Sequence, residues 1–137
     1  MTPRTKTGAV LERMVLPALR EAGYEIEVQV HVGQRFGCGK HFVDVIASKA
    51  ERKLLVSMKW QQVSGTAEQK VPFEVICLAE EVLLGHFTKA YLVLGGEGWK
   101  LRSFYTGGGL KDHLVHGDKV EIMTLEAFVA KANQGKL

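Results

Sequence analysis

The first part of the chain changes from a helical to a strand-like spacing of its apolar residues. Residues 8–22 repeat apolar side chains every three or four positions, as in an amphipathic helix, and Gly23 ends the pattern. Residues 24–32 alternate apolar and polar positions, which is typical of a half-buried strand. The two apolar runs that follow, HFVDVIAS and KLLVSMKW, flank the polar turn KAER. We therefore predict one helix and then three consecutive strands, of which the second and third form an antiparallel hairpin.

Helical and strand-like patterns alternate again in the second part of the chain. Residues 66–84 carry an apolar stripe at helical spacing, with Ser64 or Thr66 as the expected N-cap. The continuous apolar run KAYLVLGG then indicates a buried strand that is reached by a crossover. WKLRSFYT is predicted as a further strand, KVEIMT as another, and LEAFVAKAN as a terminal helix capped by Thr124. The order αβββαβ with a β/α tail predicts an α/β fold, with a mixed central sheet flanked by helices.

Composition narrows the class of protein without fixing its function. The chain has 137 residues, of which 46% are hydrophobic and 24% charged, and this balance suits one domain over residues 1–137. The formal net charge of +3 permits a polyanionic partner. Cys38 and Cys77 are too few and too far apart for a disulfide framework or a zinc site, and no apolar run is long enough to cross a bilayer. We expect a cytoplasmic protein without a membrane partner.

Two charged residues interrupt the apolar strands of the predicted hairpin. If the chain turns at residues 49–52, Asp44 lies opposite Ser57, and Lys59 shares that face of the sheet. Opposite charges among core-like residues are unfavourable unless they pair or hold a ligand. Two interpretations follow: a structural Asp-Lys pair, or a metal site for phosphodiester hydrolysis. In the second, Asp44 and the backbone carbonyl of Met58 supply the oxygen ligands that Mg²⁺ prefers.

These residues and their order resemble the PD-(D/E)XK nuclease superfamily, which includes restriction endonucleases and Holliday junction resolvases. The likeness rests on the order αβββαβ, an aspartate on the second strand, SMK on the third, and the continuation through KWQ and SGTAEQK. It covers residues 8–95 and leaves 96–137 as a C-terminal extension. It implies a DNA endonuclease with Mg²⁺ or Mn²⁺ as cofactor, with Asp44 as a metal ligand, Lys59 as the catalytic lysine and Gln61 as the polar residue that follows it.

The sequence departs from the family pattern at Ser57, where a second acidic residue is expected. Some restriction enzymes of the family that have a Ser-x-Lys triplet carry this acid on the following helix, where the present chain has Glu68 and Glu74. We favour Glu74 and keep Glu68 as the alternative, because the separation of Glu74 from Lys59 is nearer to that of the displaced acid. Glu12, on the first helix, is a further candidate metal ligand, since first-helix glutamates join the site in resolvase-like members.

Basic residues near the predicted site are candidates for DNA contacts. Arg35, Lys40 and His41 flank the Gly-rich loop before the second strand, and Lys70 lies near the start of the helix that follows the third strand. Such side chains position the DNA backbone through its phosphates without reading its sequence. A homodimer would supply two active sites for the two strands of a duplex. The alternative function is a nuclease fold whose chemistry has decayed and which binds DNA or a protein partner.

Overall fold

A computed structural model describes residues 6–37 and 39–137, which form one five-stranded sheet with helices on both faces. The strands are β1 (Glu25–Gln34), β2 (Lys40–Lys49), β3 (Arg52–Trp60), β4 (Lys89–Gly95) and β5 (Val120–Thr124). They lie in the order β1-β2-β3-β4-β5. The first three are antiparallel neighbours, whereas β4 runs parallel to β3, and β5 runs parallel to β4. This topology confirms the predicted α/β class and the mixed sheet.

Helices pack on the two faces of the sheet around separate apolar cores. The first helix has three consecutive segments, α1 (Lys6–Val10), a π-helical turn (Leu11–Val15) and α2 (Leu16–Glu21), and is followed by α3 (Ala67–Leu83), α4 (Arg102–Thr106) and α5 (Leu125–Asn133). The first helix and α5 enclose the first core with the sheet, and α3 and α4 enclose the second core on the other face. The first core includes Val15, Leu19, Val56, Tyr91 and Phe128; the second includes Leu55, Val71, Leu78, Leu92 and Tyr105.

Pro17, inside the predicted first helix, lies two residues after the end of the π-helical turn. The N–H of Leu16 donates to the carbonyl oxygen of Leu11, five residues earlier. Pro17 has no N–H and would remove a hydrogen bond from a regular α-helix. The wider turn changes the bonding pattern just before the proline, and the helix continues to Glu21.

A second proline, Pro72, lies inside α3, and the fold supplies a replacement for the hydrogen bond that it removes. Because Pro72 has no N–H, the carbonyl oxygen of Glu68, four residues earlier, has no helical donor. The hydroxyl group of Tyr105 in α4 donates to that oxygen over 2.7 Å. The carbonyl is therefore satisfied, and α3 continues to Leu83.

The prediction that WKLRSFYT forms a strand is wrong, because residues 102–106 form α4. Both edges of β4 are already paired, with β3 on one side and β5 on the other, so this segment has no place beside β4. The backbone N–H groups of Lys100 and Leu101 donate instead to the carboxylate of Glu68, over 2.5 and 3.0 Å. A carboxylate on α3, rather than a neighbouring strand, thus satisfies this stretch of backbone.

Two further expectations concern the cysteines and the membrane. Cys77 is a buried free thiol in α3, as expected, and Cys38 lies outside the described residues. Among the residues that the structure describes, no helix combines the length and the apolar character needed to cross a bilayer.

Candidate active site

The predicted acidic strand residue lies where β2 and β3 separate. The two strands pair in the predicted register as far as Val45 and Val56, and the regular pairing ends there. Asp44 is the next residue of β2, and its Oδ2 accepts a hydrogen bond of 2.7 Å from the backbone N–H of Met58. At the point where the strands separate, the carboxylate of Asp44 therefore accepts from a backbone N–H of β3. This hydrogen bond holds the side chain against β3.

The neighbouring strand β1 is distorted opposite Asp44. Gln29 has a φ of +53°, in the left-handed region that residues with a side chain seldom adopt, and its amide donates a long hydrogen bond of 3.4 Å to Asp44 Oδ1. On β2, Val43 packs in the second core and Val45 in the first core, although residues two apart normally share a face. The alternation of faces thus breaks at Asp44. No sequence pattern marks Gln29, which was not among the predicted site residues.

Glu74 of α3 is a buried carboxylate surrounded by basic groups. Only 2% of the residue is exposed. Its Oε2 lies 2.8 Å from Nη2 of Arg35 and 3.7 Å from Nζ of Lys59, and its Oε1 lies 3.0 Å from Nε2 of His41. The structure therefore brings Lys59 and Glu74 together, and with them Arg35 and His41 from the β1–β2 hairpin, which were predicted as DNA contacts.

The two carboxyl groups of the site have opposite pKa shifts. Burial raises the pKa of Glu74, but the hydrogen bond from His41 and the charges of Lys59 and Arg35 outweigh it and lower the pKa to about 2. Burial also raises the pKa of Asp44, and here it outweighs the Met58 N–H and the charge of Lys59, so the pKa lies above its ordinary value. The charge of Lys59 lowers the pKa of Asp44 and that of Glu74 raises it, so the three groups are electrostatically linked.

The family of the chain follows from a comparison with models of known protein families. The model of the PD-(D/E)XK nuclease superfamily domain matches residues 4–136. The chain belongs to this superfamily. The resemblance seen in the sequence is thereby confirmed, and the match extends over the C-terminal extension as well as over the core.

Comparisons with individual proteins support the fold and add no activity. No curated protein matches the chain. Among solved structures, the chain is similar to one titled as the crystal structure of a protein of unknown function, AF1548, with a TM-score of 0.58 and 14% sequence identity. The match covers 88% of the present chain and 63% of that protein, so the present chain spans less than two thirds of its length. At this identity the likeness shows the fold alone.

Ser57, at the position of the expected second acid of this PD-(D/E)XK domain, is buried on β3. It is 5% exposed and pairs with Leu92 of β4. Two residues further along the strand, Lys59 reaches the carboxylate of Glu74 across the space between the sheet and α3. The acidic group that β3 lacks is thus present beside the lysine, on a different element of the fold.

Gln61 and Glu68, two other predicted site residues, form a separate hydrogen-bond network. The Gln61 amide donates to Glu68 Oε1 over 3.0 Å and to the carbonyl oxygen of Gly98 over 2.8 Å, and its Oε1 accepts from the N–H of Ala67 over 3.1 Å. Gln61 rather than Ser64 or Thr66 therefore caps the start of α3, since Thr66 makes no side-chain cap. Both residues support the loop between β4 and α4, and we leave them out of the site proposed below.

The remaining predicted residues lie at different depths. Lys40 and Lys70 are exposed, as contacts with a DNA backbone require, and Arg35 is partly exposed. His41 is completely buried, so its side chain is placed to hold Glu74 rather than to contact a phosphate. Glu12 is exposed on the first helix, which packs on the face of the sheet opposite to α3.

The donor groups of the site are of the kind that a hard divalent cation takes. Asp44 and Glu74 contribute two carboxylates, and among the described residues Asp44 Oδ1 makes only the long hydrogen bond with Gln29. Mg²⁺ is commonly held by one or two carboxylates together with water and substrate phosphate. Within residues 6–37 and 39–137, no three His, Cys, Asp or Glu side chains form a metal-binding group. The residues therefore fit a cation that shares its coordination with the substrate, rather than one enclosed by protein ligands.

Proposed function

We propose that this domain is a metal-dependent deoxyribonuclease that hydrolyses phosphodiester bonds, in the manner of a restriction endonuclease or a junction resolvase. Membership of the PD-(D/E)XK superfamily supports this class of reaction. The observation that carries the proposal is the contact between Lys59 and the buried, ionised Glu74, in electrostatic reach of Asp44. Carboxylates can hold the cation of a metal-assisted hydrolysis, and a nearby ammonium group can stabilise the negative charge that develops on the phosphate.

Each residue of the proposed site has a separate part in the reaction. Asp44, Glu74 and the backbone carbonyl of Met58 would hold Mg²⁺ or Mn²⁺, which when bound polarises a phosphoryl oxygen and lowers the pKa of water. The Met58 N–H orients the Asp44 carboxylate. Lys59, whose side chain is 24% exposed, can reach both Glu74 and a substrate. Its positive charge stabilises the attacking hydroxide or the negative charge that develops on the phosphate.

Substrate binding is assigned to basic residues around this site. Lys40 and Lys70 project into solvent, and Arg35 presents part of its guanidinium group there. These groups would contact phosphates and position the DNA without reading its sequence. For a duplex substrate we include a homodimer in the proposal, since two copies of the site would act on the two strands.

The function can be tested with a panel of linear duplex, nicked, single-stranded and four-way-junction DNA in Mg²⁺ or Mn²⁺. We expect cleavage of at least one substrate, its loss in EDTA, and a decrease of about 100-fold or more in Lys59→Ala. Lys53→Ala is the matched control, because it removes the same charge from the opposite end of β3. Equal cleavage by Lys59→Ala and the wild type would contradict the proposal, and the panel also identifies the substrate class.

A second candidate function is a PD-(D/E)XK fold that binds DNA or a protein without cleaving DNA. The full set of donors around Glu74 favours it, since the charges of Arg35 and Lys59 already neutralise this carboxylate without a cation and His41 also contacts it. Titration calorimetry with Mg²⁺ separates the two functions. A working site binds Mg²⁺ and loses that binding in Asp44→Ala, whereas a decayed site shows no such binding while salt-sensitive DNA binding persists.

A further inference from the structure

Arg35 has access to two kinds of anion. Its Nη2 donates to Glu74 Oε2 over 2.8 Å, while 30% of its side chain remains exposed. It lies just after β1, and its backbone N–H donates to the carbonyl oxygen of Gly39 across the β1–β2 loop. A guanidinium group binds a phosphate with the same paired geometry that it uses for a carboxylate. A phosphate that approaches the site therefore competes with Glu74 for the same side chain.

A cation would in turn compete with the basic side chains for the carboxylate of Glu74. Oε1 accepts from His41, and Oε2 is in contact with both Arg35 and Lys59. Because an ionised carboxylate only accepts hydrogen bonds, the Nε2 of His41 carries the proton in this contact. A cation that binds through Oε2 of Glu74 competes with Arg35 and Lys59, whose side chains are 30% and 24% exposed. Arg35 is the one that donates a hydrogen bond to this oxygen, at 2.8 Å, whereas the Nζ of Lys59 lies 3.7 Å away.

We propose that Arg35 exchanges between Glu74 and a DNA phosphate, so that binding of DNA releases Glu74 toward the divalent cation. This inference rests on the proposed function and adds to it the order in which DNA and the cation bind to the site. Metal binding and DNA binding then strengthen each other by the same factor, as the linkage between two sites requires. Arg35 opposes metal binding in the free protein and supports DNA binding in the complex.

Removal of Arg35 is expected to have effects of opposite sign on the two ligands. Without DNA, Arg35→Gln should bind Mn²⁺ about tenfold more tightly than the wild type, since one charged hydrogen bond no longer competes. In EDTA, the same variant should bind a short duplex about tenfold more weakly. A residue that only contacts DNA would change the second affinity alone. A residue that only stabilises the loop would not increase the affinity for the metal.

The Mn²⁺ affinity can be measured by electron paramagnetic resonance of the free ion, and the DNA affinity by fluorescence anisotropy. Lys40→Gln is the matched control, because it removes an exposed positive charge from the same hairpin, whereas the side chains that contact Glu74 are those of Arg35, His41 and Lys59. It should weaken DNA binding and leave Mn²⁺ binding unchanged. Arg35→Lys keeps the charge and should fall closer to the wild type in both measurements. Circular dichroism establishes that each variant is folded.

The outcomes separate this inference from the proposed function. If Arg35→Gln and the wild type bind Mn²⁺ equally, and Glu74→Ala weakens both, the metal site stands and the exchange of Arg35 is overturned. If none of these proteins binds Mn²⁺, with or without a hydrolysis-resistant phosphorothioate duplex, the metal-dependent function fails together with the exchange. Tighter Mn²⁺ binding in Arg35→Gln that disappears when Glu74→Ala is added supports the exchange, whatever the rate of cleavage.

Discussion

The hydroxyl group of Tyr105 donates to the carbonyl oxygen of Glu68, the acceptor that Pro72 leaves without a donor inside α3. One side chain of α4 thus completes the backbone hydrogen bonding of the helix that carries the proposed catalytic acid. The proline and the tyrosine are 33 positions apart in the sequence, so this hydrogen bond forms only when the fold brings α4 against α3.

We predict that Tyr105→Phe lowers the free energy of unfolding by about 1–3 kcal/mol, because a buried carbonyl loses its donor while the packing of the ring is kept. Urea denaturation monitored by circular dichroism measures this difference. Tyr91→Phe is the matched control, since the Tyr91 hydroxyl is buried and has no hydrogen-bond partner among the described residues. A loss of stability in Tyr91→Phe as large as that in Tyr105→Phe would contradict the assigned role of the Tyr105 hydroxyl.

Glu68 is predicted to support the structure of the domain and to take no part in cleavage. Glu68→Ala removes the acceptor of the Lys100 and Leu101 N–H groups and of the Gln61 amide. We expect a loss of about 3 kcal/mol or more in unfolding free energy, because several buried donors lose their partner. Cleavage per folded molecule, measured well below the melting temperature, should stay within a few fold of the wild type. A loss of activity comparable to that of Lys59→Ala would return Glu68 to the active site.

Glu74 is predicted to supply the acidic group that β3 lacks at Ser57. Glu74→Gln should reduce cleavage by about 100-fold or more, whereas Glu80→Gln, on the same helix, should leave it nearly unchanged. In the Glu74→Gln background, Ser57→Asp places a carboxylate on the strand and should restore part of the activity. Single-turnover cleavage rates of the wild type and of these three variants test the prediction. Full activity of Glu74→Gln would show that the acid is elsewhere.

Stability at acidic pH is predicted to depend on Glu121. Burial raises the pKa of this group, but hydrogen bonds from Lys89 and Lys131, at 2.7 and 3.2 Å, outweigh it and hold the pKa below its ordinary value. A carboxylate with a lowered pKa stabilises the folded state above the pKa of the unfolded chain, and this contribution is lost as the pH falls. The difference in melting temperature between the wild type and Glu121→Gln should therefore shrink toward acidic pH. A difference that stays constant with pH would exclude this role.

The sequence predicted those features that depend on local pattern. The register of the β2–β3 hairpin follows from the length of its turn and agrees with the prediction, whereas the end of the pairing just before Asp44 was not predicted. Glu74 rather than Glu68 lies beside Lys59 in the structure, and the role of Glu74 as the displaced acid stays a prediction. The distortion at Gln29 could not be predicted. It lies opposite the point where the side chains of β2 stop alternating between the two faces of the sheet, and glutamine is not a residue type that marks a positive φ.

Long-range contacts account for the remaining differences. Gln61 follows the proposed catalytic lysine in the sequence, but its amide is held by Gly98 and Glu68, which the chain brings to it from distant segments. The same carboxylate of Glu68 binds the backbone ahead of α4, and the strand expected there does not form. The sequence predicted His41 as a phosphate contact, but its side chain is completely buried in the fold. Burial of this kind depends on the packing of α3, which local spacing does not specify.

The location of Glu74 on a helix has a consequence for how the site can change. An acid on β3 would keep its distance from Lys59 through the fixed geometry of one strand, whereas the separation of Glu74 from Lys59 depends on how closely α3 approaches the sheet. That approach is determined by Val71, Val75 and Leu78 where they meet Leu55 and Leu92 in the second core. Substitutions in this core, without any contact with substrate, would therefore adjust the spacing of the acid and the lysine, and interior packing becomes a determinant of reactivity.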